Sequence, residues 1–203
     1  DPYTGFSSWY LSNPAVTPTG SVYVGDANNR LWAINADGTR RAVFGTDGSY
    51  VKPVVAPTLD ASSNVYFFGT RYSTSYLFAL DADLNLLWRV EDSGASLSFT
   101  DDGCLVYGST YFIRKRDLTG ALKWSYSAPT TGEITVGYDG TLYASSVSDD
   151  SIIALNPDGT LKWKTSLSSK PVTMPAIGVD GTIYVYTAND VLYAIRSSGG
   201  VKW

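Results

Sequence analysis

The sequence predicts an all-β chain made of one four-stranded unit repeated five times. Three observations carry this. A ten-residue frame returns along the chain, an apolar triplet returns upstream of each frame, and apolar residues between these landmarks are spaced by two rather than 3.6. The frame is fullest at Ala154-Leu155-Asn156-Pro157-Asp158-Gly159-Thr160-Leu161-Lys162-Trp163. It recurs at residues 79–88, 115–124 and 194–203, each ending in Trp, and at residues 33–42, which end in Ala42. The triplets are Ser21-Val22-Tyr23, Asn64-Val65-Tyr66, Cys104-Leu105-Val106, Thr141-Leu142-Tyr143 and Thr182-Ile183-Tyr184. They give a period of about 40 residues, the length of one supersecondary unit that cannot bury its apolar faces alone.

Each element of the unit follows from local chemistry. Thr182-Ile183-Tyr184-Val185-Tyr186 and Val191-Leu192-Tyr193-Ala194-Ile195 are short runs rich in β-branched and aromatic residues, which suits strands. Asp139-Gly140, Asp180-Gly181 and Asp158-Gly159 supply the positive φ that tight hairpins need. In the fifth unit the strands are expected at about Val172–Gly178, Thr182–Thr187, Val191–Ile195 and Gly200–Trp203. The first strand carries prolines, as in Lys52-Pro53-Val54-Val55-Ala56-Pro57 and Lys170-Pro171-Val172-Thr173-Met174-Pro175. Proline lacks an N–H for a central ladder, so this strand belongs at a sheet edge. Four-stranded units of this length with such an edge predict a β-propeller. Blades are expected at about residues 10–44, 45–90, 91–126, 127–165 and 166–203 of a single array, with residues 1–9 as an extra outer strand.

Composition excludes several kinds of function. The net charge of −4 argues against a nucleic-acid partner. No run approaches the length of a membrane-spanning helix, so no transmembrane segment is expected. There is no histidine and only one cysteine, Cys104, which removes Cys/His zinc sites, disulfide frameworks and Ser-His-Asp triads. Cys104 takes the place of Thr141 and Thr182, so it reads as a small strand residue rather than a reactive thiol. A chain that opens on Asp1 without Met reads as processed or excised.

The Ala-x-Asn/Asp…Gly…Trp frame resembles the tryptophan-docking repeat of the pyrroloquinoline-quinone (PQQ) family of β-propellers, over about residues 5–203. The resemblance implies that Trp9, Trp88, Trp124, Trp163 and Trp203 pack against the neighbouring blade. Two blades depart from it. Ala42 stands where Trp is expected, with Phe44 as its substitute on the same strand face. Lys115 stands where Ala is expected, which predicts a loosened junction or a stem pushed outward. The cluster Arg114-Lys115-Arg116 reads as edge protection on an outer strand, with anion attraction as the alternative.

Loops after the second strands and links between blades vary in length, and variable loops on a rigid scaffold are where binding sits. Arg30, Tyr50, Lys52, Arg71, Tyr72, Asp92, Glu133 and Lys170 are the polar and aromatic candidates on that face, each weighed against a merely solvated role. Tyr50, Tyr72, Tyr111 and Tyr138 fall outside the repeated in-frame positions. Asp81-Ala82-Asp83-Leu84-Asn85 opens like a calcium loop but has Leu86 at position six and Asp92 at position twelve. No metal is expected there, nor an acid/base couple from Asp101-Asp102 or Asp149-Asp150. The sequence thus reads as a non-catalytic scaffold, extracellular, at the cell surface or periplasmic, that binds protein or glycan or assembles with itself. The family resemblance implies the alternative, a PQQ-dependent dehydrogenase holding PQQ with calcium, or a fragment of one. A propeller lyase or glycosidase is a third reading. Residues 1–9 match the fourth-strand pattern, with Gly5 and Trp9 spaced as Gly159 and Trp163 are. They are expected to close a blade in the same chain, replace its last strand, or join another copy as a homo-oligomer or filament.

Overall fold

The computed structural model describes residues 12–26, 28, 30–45 and 56–203, and residues 52–53 by backbone alone. The extra strand expected over residues 1–9 lies outside these. Among the described residues there is no helix, and five antiparallel sheets account for the regular structure. The chain divides into two compact units, residues 1–93 and 94–203.

The first unit holds two sheets. The first consists of β1 (Ala15–Val16), β2 (Val22–Gly25), β3 (Leu31–Ile34) and β4 (Arg40–Phe44) in that order. The second has β7 (Val65–Arg71), β8 (Thr74–Leu80) and β9 (Leu86–Glu91), with both β5 (Lys52–Pro53) and β6 (Thr58–Leu59) paired to β7. The proline-bearing strand is therefore at an edge and is interrupted, as missing donors require.

The second unit holds three sheets. The third runs β10 (Leu97–Phe99), β11 (Leu105–Gly108), β12 (Phe112–Arg116) and β13 (Leu122–Ser127). The fourth runs β14 (Ile134–Val136), β15 (Leu142–Ser146), β16 (Ser151–Leu155) and β17 (Leu161–Ser166). The fifth has only three strands, β18 (Ala176–Ile177), β19 (Ile183–Tyr186) and β20 (Leu192–Ile195). The full first and fourth strands expected there reduce to local pairing. Pro171 bridges Thr187, Ile195 bridges Val201, and Ala194 N–H donates to Trp203 O at 3.0 Å.

Two features recur from sheet to sheet. The turn after the third strand places Gly38, Gly120, Gly159 and Gly199 at φ between 85° and 91°, and at Asp158-Gly159 this is the positive φ that the sequence predicts. The second sheet departs from it, with Leu84 at φ 63° in that position and Ser63 at φ 63° in the preceding hairpin. A register shift also follows the first residue of four of the five frames, between Ala33/Ile34, Ala79/Leu80, Lys115/Arg116 and Ala154/Leu155. The unmatched residue on the fourth strand is Arg41, Leu87, Lys123 or Lys162, and a bulge re-aims such a side chain. Lys162 Nζ lies 3.0 Å from Asp139 Oδ2 and 2.7 Å from Thr141 Oγ1, in the hairpin at the head of its own sheet. Arg41 reaches Asp83 of the second sheet at 2.6 Å, and Lys123 takes Asp117 at 2.8 Å.

The core lies between sheets. Tyr23, Leu31 and Ala33 pack against Val65, Phe67, Phe78, Leu80 and Leu84 in the first unit. In the second unit Val106 and Ile113 meet Leu142, Ala144, Ile153 and Leu155. Tyr143, Ile152 and Ala154 in turn meet Ile183, Val185 and Ile195.

Candidate functional site

At the junctions inside the second unit, indoles lie on the turn of the following sheet. Trp124 Nε1–H donates to Pro157 O at 3.1 Å, and Trp163 Nε1–H donates to Ser197 O at 2.8 Å. A Cβ on Gly159 would stand 2.5 Å from the Trp124 ring, and one on Gly199 would stand 2.8 Å from the Trp163 ring. Glycine is needed there for closeness as well as for φ. Trp88 sits tilted on Tyr66, ring centroids 6.0 Å apart, within its own sheet. Trp203 sits tilted on Tyr184 at 6.2 Å and remains 61% exposed. Trp9 lies outside the described residues.

The first-to-second junction solves the same packing problem without an indole. Phe44 meets Phe67 and Phe78 edge-on, at 6.3 and 5.9 Å, and Leu84 joins the same cluster at 5% exposure. Tyr23 O–H donates to Ala82 O at 2.9 Å, the carbonyl equivalent to those of Pro157 and Ser197.

Lys115 corrects two expectations. It is 4% exposed rather than pushed outward, with Nζ 2.7 Å from Asp102 Oδ2 and 3.4 Å from Pro157 O. Arg114, Lys115 and Arg116 lie on β12, which is paired on both sides by β11 and β13 and so is no outer strand. Strand alternation turns Arg116 the other way, onto Tyr107 Oη at 2.7 Å, and Arg114 onto the Phe112 ring at 3.5 Å. Hydrogen bonds from Lys115 and then Thr100 hold the Asp102 carboxyl down at about 2. Burial pushes the Cys104 thiol up, away from the reactive range.

The loops after the second strands carry the candidate binding residues. In the first sheet, buried Asp26 organises the loop: Oδ1 accepts from the N–H groups of Asn28 and Arg30, at 2.9 and 3.0 Å. Its Oδ2 accepts from Arg30 Nε at 2.8 Å and Trp32 Nε1 at 2.9 Å. The Arg30 guanidinium also stacks on Trp32 at 4.9 Å, so it is engaged within its own loop. Sequence reasoning missed Asp26. The signal was an acidic residue four before Arg30 at the end of an apolar strand.

In the second sheet, Tyr72 stands at φ 56°, 78% exposed, with the Arg71 guanidinium 5.8 Å from its ring centroid. A bulky residue in the left-handed region is uncommon and carries strain, which concentrates at functional positions. Tyr111, in the corresponding loop of the third sheet, is 75% exposed. Tyr138 is exposed too, but in the hairpin at the opposite strand ends. Asp92, expected among the binding candidates, is buried at 6% exposure: its N–H donates to Ser75 O, and its Oδ1 accepts from Ser93 N–H. Glu133 and Lys170 are exposed in links of the second unit. Tyr50 and the side chain of Lys52 lie outside the described residues. The structure thus brings Arg71 and Tyr72 together and engages Arg30 and Asp92 internally.

The calcium-like run has its carboxylates engaged within the protein. Asp81 Oδ1 accepts from the N–H groups of Asp83 and Asn85, and Oδ2 takes Asn85 Nδ2, each at 2.9 Å. Asp83 is held by Arg41, so the calcium-like run spends its carboxylates on its own turn and on a cation. Among the described residues no group of three or more His, Cys, Asp or Glu side chains converges.

Repeated four-stranded antiparallel sheets stacked through apolar faces define a class, the β-propeller repeat proteins. Residues 112–203 match the family model described as outer membrane protein assembly factor BamB. No curated protein matches the chain by sequence. The structure of BamB from Moraxella catarrhalis is similar, at TM-score 0.77 and 18% identity, over 95% of this chain and 60% of that one. The chain thus spans 60% of the length of that BamB. Virginiamycin B lyase from Staphylococcus aureus matches at TM-score 0.68 and 17% identity, over 93% of this chain and 67% of that one. The C-terminal WD40 domain of Sif2 matches at TM-score 0.73 and 12% identity, over 97% of this chain and 59% of that one. At such identities the likeness shows the fold.

Proposed function

We propose that the chain is a non-catalytic scaffold of the cell envelope or cell surface that binds a protein partner through the loops after its second strands. The observation that carries this reading is Tyr72, strained, exposed and backed by Arg71. Aromatic and arginine side chains held on a rigid scaffold have the character of binding hot spots. Tyr111 offers a second aromatic contact from the same kind of loop. The BamB match adds a relative whose description is a protein assembly factor, which favours a protein over a glycan. The tryptophans at 124 and 163 serve, in this reading, as docking anchors that keep the sheets of the second unit rigid beneath the loops.

Affinity capture from envelope extracts with wild type, Tyr72→Ala and Tyr138→Ala tests it. Capture is expected to fall at least about tenfold for Tyr72→Ala, the loss of one hot-spot residue, and to be unchanged for Tyr138→Ala. Equal capture by Tyr72→Ala and wild type defeats the assignment. A glycan array answered by wild type and not by Tyr72→Ala would transfer the same site to sugar. Incubation with PQQ and calcium is expected to give no dye reduction, and reproducible turnover would restore the dehydrogenase alternative.

A further inference from the structure

The second sheet has the longest hairpin between its second and third strands. The second strands all start at the repeated apolar triplet, at Val22, Val65, Leu105, Leu142 and Ile183. β7 then runs seven residues where the others run four or five, so its surplus lies wholly at the loop end. Two or three extra residues at ~3.3 Å each lengthen the hairpin by roughly 7–10 Å. Register holds to the end, with Arg71 opposite Thr74 and Tyr72-Ser73 as a two-residue turn.

Guanidinium groups elsewhere in the chain find oxygen. Arg30 takes Asp26, Arg41 takes Asp83, Arg116 takes Tyr107 Oη and Gly120 O, and Arg196 takes Val201 O. Arg71 Nε–H is shielded from solvent and meets no acceptor among the described residues, which is a standing cost to the fold. Residues 69–75 hold no acid that could take it. Asp60 and Asp81 are tied into turns at the opposite strand ends, Asp83 is held by Arg41, and Asp92 is buried. Glu91 lies opposite Tyr76, and Tyr76 opposite Gly69, two strands across from β7 and two residues short of Arg71. The tip thus carries a positive charge on a chain whose net charge is −4.

Building on the protein-binding reading of these loops, we infer that Arg71 is a receptor for an Asp or Glu side chain in an acidic segment of the partner protein. The guanidinium turns outward about its terminal side-chain bonds and presents Nε–H and one Nη–H as a fork to the two carboxylate oxygens. The Nε–H gains the acceptor it lacks, and the methylene groups of the acid pack on the exposed Tyr72 ring. A C-terminal carboxylate fits less well, because such groups are caught by nests of free backbone N–H groups and this tip is a paired hairpin. A lysine would not replace Arg71, since an ammonium has no planar fork.

The Arg71 Nε–H nuclear magnetic resonance signal of isotopically labelled protein, assigned by its loss in Arg71→Lys, reads the contact directly. It is expected to shift saturably with an end-capped tetraglutamate peptide and to stay in place with end-capped tetraglutamine. Arg71→Lys, followed through the Ser73 and Thr74 backbone N–H signals, is expected to bind tetraglutamate at least about tenfold more weakly. Equal binding would reduce the site to simple charge attraction and overturns the inference. An Arg71 signal that ignores tetraglutamate, or answers tetraglycine with a free C-terminus as strongly, overturns it too. In the envelope capture, Arg71→Gln behaving as wild type while Tyr72→Ala fails removes the carboxylate and keeps the loop reading. Capture unaffected by either change defeats the loop reading, while a tetraglutamate shift would still place a carboxylate on Arg71.

Discussion

The first-to-second junction and the two junctions of the second unit close the same kind of gap with opposite distributions of volume. In the second unit the large group hangs on the fourth strand and the turn is bare. In the first unit the strand has Ala42, and the turn brings Leu84 while Phe44 and Tyr23 supply the ring and the hydroxyl. The turn carbonyl receives a hydrogen bond in every case, from Tyr23, Trp124 or Trp163. What the repeat keeps is thus filled volume and a satisfied carbonyl, not a residue type, as close packing requires.

The sharpest way to break the comparison is Gly159→Leu, which imposes positive φ on a bulky residue and drives it into Trp124. It is expected to cost about 4 kcal/mol by urea denaturation. Adding Trp124→Ala should recover about half of that, recreating the Ala42/Leu84 arrangement, and additive losses would show that the sites do not exchange volume. Trp163→Ala comes next, at about 3 kcal/mol, low for an aromatic truncation because the indole is only partly buried. Trp203→Ala, the same substitution in the same frame, should cost under about 1 kcal/mol, since its ring is largely solvated. A Trp203→Ala loss as large as that of Trp163→Ala would show that its exposed face is already covered in solution.

The smallest effect belongs to Asp102. Its folded-state pKa of about 2 lies below the ordinary 3.8, so its stabilisation is present above the ordinary value and drains away as pH falls toward about 2. Because the carboxylate is 60% exposed, screening keeps the contribution under about 1 kcal/mol. Asp102→Asn should flatten that stretch of the acid-unfolding profile, and an unchanged profile would remove Lys115 from the account.

The architecture was legible because turns and strand period are local properties. Asp-Gly pairs announced hairpins, and the in-frame Trp residues announced one repeated surface. Partner identity was not legible, because a period tells which face a residue occupies but not what lies opposite. Lys115 looked disruptive because Asp102 and Pro157 O, which receive its charge, are 13 and 42 residues away in sequence. Leu84 drew no attention as a packing residue because Ala42, which makes room for it, stands in another copy of the repeat. Tyr72 was visible as an aromatic outside the frame, but its strained backbone and the arginine behind it are three-dimensional facts. The burial of Asp92, taken from sequence as a binding candidate, was not legible because Ser75 O, which takes its N–H, lies 17 residues earlier in the chain.

The bulge after the first residue of four of the frames also limits how such a chain can change over evolutionary time. An insertion of one residue between the bulged Lys162 and Trp163 would turn the indole to the wrong side and leave the inserted residue at the junction. Two residues would restore the side but misplace the ring along the strand. Length changes are therefore confined to the loops after the second strands and to the links, where they leave every indole in phase. The bulge acts as a reading-frame mark for the sheet: the supporting structure is copied almost without indels while the surface above it is free to diversify.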